Sequence, residues 1–273
     1  MRTEKKGAVR LETGVIESEL LHRRVRVDYF LPPSLRKSSS PTLLLINDGQ
    51  DMEQLGLQAM LEQLYQDKAV SPLFCVGIHA GDRMMEYGTA HAADYQGRGN
   101  KAGLYAKFIF KELLAAIHQA YPHITFREKA IAGFSMGGLS ALDIAWNHST
   151  QFSRVGVFSG SLWWRVRGLE EGYEEDRDRI MHAQVRFEKH KPKLKFFFEA
   201  GTLDETMDRN KNGIIDAIDD TITLIDELVK KGYHPKKDIR YLELEGGRHD
   251  IATWAKAMPE FLKWGWGKMK RPL

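Results

Sequence analysis

Residues 129–147 read KAIAGFSMGGLSALDIAWN, and the reading of this stretch decides the fold. KAIAG is a short apolar run of the kind that forms a buried strand, and LSALDIAWN carries apolar residues at helical spacing. Between them, Gly133-Phe134-Ser135-Met136-Gly137-Gly138 matches G-x-S-x-G. In a strand–turn–helix context that motif has a mechanical meaning. Small residues on either side of the serine permit a very sharp turn, which holds Ser135 exposed at the carboxyl end of the strand and on the helix N-terminus. The bare motif is common, so the flanking strand and helix give it its weight. The bland alternative is a glycine turn with an N-cap serine.

Working outward, short β-rich runs alternate with longer helical patterns. This predicts an α/β fold with a mostly parallel, twisted sheet and helices on both faces. GVIESELL and RRVRVDYFLPPS open the chain as an antiparallel pair that Pro32 and Pro33 end. TLLLIND, LFCVGIHA, RVGVFSGSLWW, LKFFFEAG and IRYLELEGG supply further strands. MEQLGLQAMLEQLYQD, GLYAKFIFKELLAAIHQAY, IIDAIDDTITLIDELVKKG and IATWAKAMPEFLKWGW supply helices. No Pro-, Gly- or Ser-rich linker and no internal repeat divides residues 1–273, so one domain is expected. The charged segment 165–191 is expected to be a cap or surface excursion.

Composition excludes several classes. At 42% hydrophobic, 28% charged and a net charge of +3, the chain is globular rather than disordered. The end KWGWGKMKRPL is locally basic, but no Lys/Arg stripe points to a nucleic-acid partner. No apolar stretch approaches membrane-spanning length, so no membrane partner is expected. MRTEKKGAVRLETG lacks the apolar segment of a secretory signal, which makes the cytoplasm the expected location. Cys75 is the only cysteine; it lies in LFCVGI and reads as a small core hydrophobe.

A serine hydroxyl is a poor nucleophile without a base. In the α/β-hydrolase arrangement the chain order is serine, acid, histidine. His249 follows the last strand, in EGGRHDIATW, where glycines let the backbone bring its ring toward Ser135. His79 precedes the serine, His118 lies in a helix pattern, and His182 and His190 fall in the charged excursion. These and the remaining histidines read as partly exposed surface residues. Asp204 is the first carboxylate after an expected turn at Ala200-Gly201, which makes it the candidate to orient the imidazole. Glu205 and Asp208 are the runners-up. Candidate oxyanion donors are the backbone N–H of Met136 and that of Gln50, with Gly49 expected to make the turn in Asn47-Asp48-Gly49-Gln50.

VDYFLPPS, LLLINDGQD, RMMEYG, IAGFSMGGLSAL, FSRVGVFSGSLWW, EAGTLDE and GGRHDIATW together resemble the putative-esterase family of α/β hydrolases, in the family's order and across most of the chain. That family includes enterochelin esterases, feruloyl and acetylxylan esterases, S-formylglutathione hydrolase and mycolyltransferases. The resemblance implies an α/β-hydrolase fold with Ser135, Asp204 and His249 as triad and Met136 and Gln50 as oxyanion donors. It implies a serine esterase that acts on a small-molecule ester through an acyl-enzyme and requires no cofactor. An acyltransferase using the same triad and a non-catalytic binding protein on the same scaffold are the competing readings. Arg83, Tyr87, Tyr95, Arg98, Trp163 and Trp164 fall in or near loops around the expected catalytic face. They either meet an anionic or catechol-bearing substrate and form an acyl wall, or pack those loops together.

GTLDETMDRNKNGIIDAIDD (201–220) crowds acids into one stretch. From Asp208 it follows the spacing of an EF-hand-like calcium loop. The ligands would be Asp208, Asn210, Asn212, the carbonyl of Ile214, Asp216 and Asp219, with Gly213 at the sharp turn. Asp219 stands where such loops usually carry a glutamate. The alternative is a turn whose acids complement the dipole of the following helix.

Overall fold

The computed structural model describes residues 8–33, 35, 40–191 and 193–268. Ser34 and the last five residues of the basic end, 269–273, lie outside them, as does the charged start, 1–7.

Eight strands form one sheet in the order β1-β2-β4-β3-β5-β6-β7-β8. β1 (Arg10–Ser18) and β2 (Arg23–Leu31) are the antiparallel opening, and β1 begins earlier than GVIESELL suggests. β2 pairs antiparallel with β4 (Leu73–Ile78). From there β4, β3 (Thr42–Asn47), β5 (Glu128–Phe134), β6 (Arg154–Phe158), β7 (Lys195–Leu203) and β8 (Ile239–Arg248) run parallel. In chain order the helices are α1 (Leu57–Gln66), the short α2 (Arg83–Glu86), α3 (Ala102–Phe108), α4 (Leu114–Ala120), α5 (Met136–Asn147), the short α6 (Glu175–Asp178), α7 (Ile180–Phe187), α8 (Asp216–Lys230) and α9 (Ile251–Trp266). A π-helical segment, Ile109–Leu113, joins α3 to α4. The sheet and its neighbours make this an α/β-hydrolase fold.

Two cores form because side chains alternate across a strand. Leu43, Leu45, Phe196 and Phe198 face one side, where Phe108, Trp146, Val185 and Leu228 cover them. Leu44, Ile46 and Phe197 face the other, against Leu61 of α1 and Trp254 and Phe261 of α9. Cys75 is buried on this second side. Each fully buried Leu or Phe contributes about 1.5–3 kcal/mol.

The chain passes from β3 outward to β4, then returns past β3 to form β5 on its other side. The loops after β3 and β5 therefore diverge and leave a crevice at their carboxyl ends, the usual ligand position in an open parallel sheet.

Segment 165–191 departs from its expected solvated character. Asp178, Arg179 and His182 are buried within it, because α7 packs its face against the core and α8. His182 is thus no surface histidine; its Nε2 lies 2.9 Å from the Asp220 carbonyl. The expected turn at Ala200-Gly201 is also replaced. β7 continues through an irregularity between Gly201 and Leu203, and the chain turns only at Asp204.

Candidate active site

Ser135 sits between the end of β5 and the first residue of α5 with φ 53° and ψ −123°. A residue with a Cβ enters that region at a cost of about 1–3 kcal/mol, so neighbouring structure must impose it. Gly133 makes the turn sterically possible, since a Cβ there would fall 2.2 Å from the Gly137 carbonyl oxygen. The Ser135 N–H donates to the Phe158 carbonyl at 2.9 Å, tying the turn to β6. Asn47 Nδ2 donates to the Gly137 carbonyl at 2.7 Å and ties it to β3.

Ser135 and His249 line one cleft of about 450 Å³ with Asp48, Gln50, Arg83 and Trp254. His249 follows β8, and its ring meets Trp254 edge-on at 5.4 Å; Trp254 in turn stacks on Phe134 at 5.0 Å. Desolvation lowers the His249 pKa below the ordinary imidazole value, against the opposing charge of Asp204, while Arg83 adds to the lowering. The ring is therefore neutral at pH 7, as a general base must be. Burial raises the Asp204 pKa, and hydrogen bonds from the Gly201 N–H and Ser159, with the His249 charge, restrain the rise. The Gly201 N–H donates to Asp204 Oδ2 at 3.1 Å, whereas Oδ1 is buried without a partner.

The connecting hydrogen bonds are open. Among the described residues, neither ring nitrogen of His249 is hydrogen-bonded to Ser135 or Asp204, and the recorded partner of Ser135 Oγ is Ser161 Oγ at 3.4 Å. Such bonds commonly tighten only with substrate bound. Glu205 and Asp208 are engaged elsewhere: Glu205 accepts from the Ala217 N–H, and Asp208 from the N–H groups of Asn212 and Gly213.

Met136 begins α5, so its N–H has no acceptor within the helix. Gln50 lies in a 3-10 turn after β3, and among the described residues no backbone carbonyl outside that turn accepts its N–H. The left-handed residue of this turn is Asp48 (φ 62°), not Gly49 as expected. Gly49 is needed for another reason: a Cβ there would lie 2.5 Å from the Gly77 carbonyl carbon.

Asp48 is buried and holds Arg83 in a two-pronged contact, Oδ1 to Nε at 2.8 Å and Oδ2 to Nη2 at 3.1 Å. This keeps a half-buried guanidinium at the cleft. Tyr87 and Trp164 are fully buried and pack loops together. Arg98 pairs with buried Asp94 and lies 4.8 Å over the half-exposed Trp163 ring; Tyr95 lies between Arg98 and Arg165.

The profile of the putative-esterase family matches residues 18–264. The chain belongs to that family. Among solved structures, an enterochelin esterase from Shigella flexneri superposes with a TM-score of 0.71 at 22% identity, covering 93% of this chain and 57% of that one. This chain thus spans little more than half of that enzyme. A ferulic acid esterase matches at 0.68 and 19%, covering 94% and 97% of the two chains. A siderophore hydrolase from Aspergillus nidulans matches at 0.66 and 16%, covering 93% and 95%. No curated protein matches the sequence.

The acidic stretch divides. Asp204 carries a charge that acts on His249, and residues 208–219 form a separate loop. Asp208, Asn210 and Asn212 direct side-chain oxygens at N–H groups of their own loop, and Asn210 and Asn212 donate to the two oxygens of Asp219. Lys211 (φ 58°) and Gly213 (φ 87°) make the sharp turns. Both oxygens of Asp216 are taken by Arg209, through its N–H and guanidinium. Among the described residues the one three-acid group with metal-binding proximity is Glu175, Asp219 and Asp220, and Arg209 pairs with two of these.

Sequence reasoning missed a polar group beside Ser135 and Trp254: Ser161 Oγ lies 3.4 Å from Ser135 Oγ, and the Ser159 hydroxyl bonds Trp254 and Glu199. The signal for Glu199 was present, as a lone acid at the end of the apolar run FFFE. Its buried partners lie on other strands and on α9, which local pattern does not reveal.

Proposed function

We propose that the protein is a serine esterase of small-molecule carboxylic esters, with Ser135 as nucleophile, His249 as general base and Asp204 as the acid that orients the imidazole. The observation that carries this reading is the strained Ser135 backbone facing the same cleft as a neutral His249. In the first step Ser135 Oγ bonds to the ester carbonyl carbon as its proton passes to the imidazole. The carbonyl oxygen becomes an oxyanion facing the N–H groups of Met136 and Gln50, where each donor lowers the barrier by about 2.7–4 kcal/mol. Collapse breaks the ester C–O bond, and His249 returns the proton to the departing alcohol. Water then adds to the acyl carbon as His249 takes its proton; collapse breaks the bond to Ser135 Oγ, which His249 reprotonates, and the carboxylic acid leaves. Aryl-containing esters suit the cleft, which both the Trp254 ring and the Arg83 guanidinium line; the ferulic acid and enterochelin esterases of the same fold point the same way.

Ser135→Ala is expected to lower kcat on a short p-nitrophenyl ester by at least about 10³-fold and to abolish fluorophosphonate labelling, with the circular dichroism spectrum unchanged. Undiminished turnover in that variant overturns the assignment.

Loop 208–219 carries a second, separate proposal, a calcium brace on the segment leading from Asp204 to α8, which requires Arg209 to release the Asp216 oxygens that it holds. Its ligand spacing and the positive φ angles at Lys211 and Gly213 support that role. The ion takes no part in the chemistry.

A further inference from the structure

Behind His249 lies a second acid that the mechanism above does not use. Glu199 is only 1% exposed, in β7, and alternation along FFFE turns it to the side of Phe197, toward α9. Its Oε2 lies 3.4 Å from the Ser159 hydroxyl, its backbone carbonyl accepts the Ser159 N–H at 2.8 Å, and its Oε1 has no partner. Ser159 is a junction. It holds a left-handed backbone (φ 43°) just after β6, accepts from Trp254 Nε1 at 2.9 Å, and helps to hold down the Asp204 pKa. Trp254 is the ring that supports both His249 and Phe134. One hydroxyl therefore joins Glu199 to the ring packed against the catalytic imidazole, and it also acts on the Asp204 charge.

We propose that Glu199 is a neutral second acid of the site, a positioning residue that keeps its proton and, through Ser159, fixes Asp204 and Trp254 beneath His249. This hydroxyl acts on both carboxyl groups, and each of these has one buried oxygen unsatisfied. Two charges here would repel in a low-dielectric interior, so one acid carries the charge and the other the proton. Asp204, nearer His249 and bonded by the Gly201 N–H, is suited to the charge. The groups facing Glu199 contain no compensating cation. β6 offers the Ser159 hydroxyl and α9 the Trp254 indole. β8 offers Tyr241, which donates to Glu243, and the loop beyond β7 offers Asp204. Burial first and the Asp204 charge second push the Glu199 carboxyl up to about 8, in agreement with the geometry.

The inference rests on the serine-esterase reading, and its test separates the two. A carboxyl whose folded pKa is raised costs the protein stability as pH climbs from its unfolded value of 4.5 toward 8, because the fold disfavours the charged form. Glu199→Gln, a neutral mimic of the protonated acid, escapes that loss. Its unfolding temperature relative to wild type is expected to gain at least about 5 °C between pH 5 and pH 8.5. At pH 7 its kcat stays within about threefold of wild type, whereas Glu199→Ala loses at least about tenfold in kcat with KM unchanged, since small misplacements of catalytic groups slow chemistry more than binding. A temperature difference independent of pH overturns the proposal. So does a Gln variant as slow as the Ala variant, or an Ala variant with full kcat. If the Ala variant does not fold, the Gln variant alone decides. Absence of fluorophosphonate labelling in the wild type removes the esterase reading, while the pH series still reports whether Glu199 holds its proton.

Discussion

Two buried acid clusters lie within one stretch of this chain and are built on opposite terms. Around Asp220 the charges are matched: Arg179 and Arg209 both pair with it, and Arg209 also engages Glu175 and Asp216. Asp220, Arg179 and Arg209 are 1%, 4% and 6% exposed at the side chain, so solvent does little to screen them. Behind His249 the acids Asp204 and Glu199 have, among the described residues, no guanidinium or ammonium partner, and each leaves an oxygen unsatisfied. Burial drives the Asp220 pKa upward too, but two guanidinium groups oppose it. At Glu199 only hydrogen bonds from Ser159 oppose it. A matched cluster locks helices α7 and α8 together. An unmatched one leaves buried carboxyl oxygens without a counter-charge, which favours keeping one of the two acids protonated.

The contrast breaks most decisively at Asp204. Asp204→Asn is expected to lower kcat by about 10³–10⁴-fold by disturbing the imidazole it orients. It should cost no stability at pH 7. The folded pKa of Asp204 is raised, so folding disfavours its charge and a neutral amide escapes that penalty. A stable variant with native kcat would show that the acid role lies elsewhere. Asp220→Ala is the converse case. It strands two buried guanidinium groups and is expected to cost about 3–5 kcal/mol of unfolding free energy, measured by urea titration. The folded fraction should keep its kcat, and a neutral effect on stability would mean that the matched cluster is not a structural lock. The smallest effect belongs to loop 208–219. Chelator is expected to lower the unfolding temperature by about 2–4 °C, with added calcium restoring it and kcat unmoved. No shift in either direction removes calcium from the loop.

How much of this was legible differs from element to element. The strand–turn–helix around Ser135 could be read directly, because a nucleophile turn is a local steric problem that Gly133 and Gly137 solve within a few residues. The strands were legible for a similar reason, since the continuous apolar runs LLLI and FFF, buried on both faces of the sheet, are written along the chain. His249 and Asp204 needed the order of elements as well as pattern. The turn expected at Ala200-Gly201 failed because pairing with β8 carries β7 onward to Leu203. His182 and the excursion 165–191 were misjudged because charged residues suggest solvent unless their partners are known. Those partners, Asp220 and Glu227, lie about 40 residues away in sequence.

By itself the sequence determined the alternation of strands and helices, the sharp turn at Ser135, and the candidates for base and acid. Each rests on backbone sterics or on hydrophobic periodicity, both local properties. Only the tertiary structure decided which buried charges are compensated, which hydroxyl joins Glu199 to Trp254, and that Asp48 rather than Gly49 takes the left-handed turn. Electrostatic matching depends on distances between groups far apart in the chain, and folding alone sets those distances.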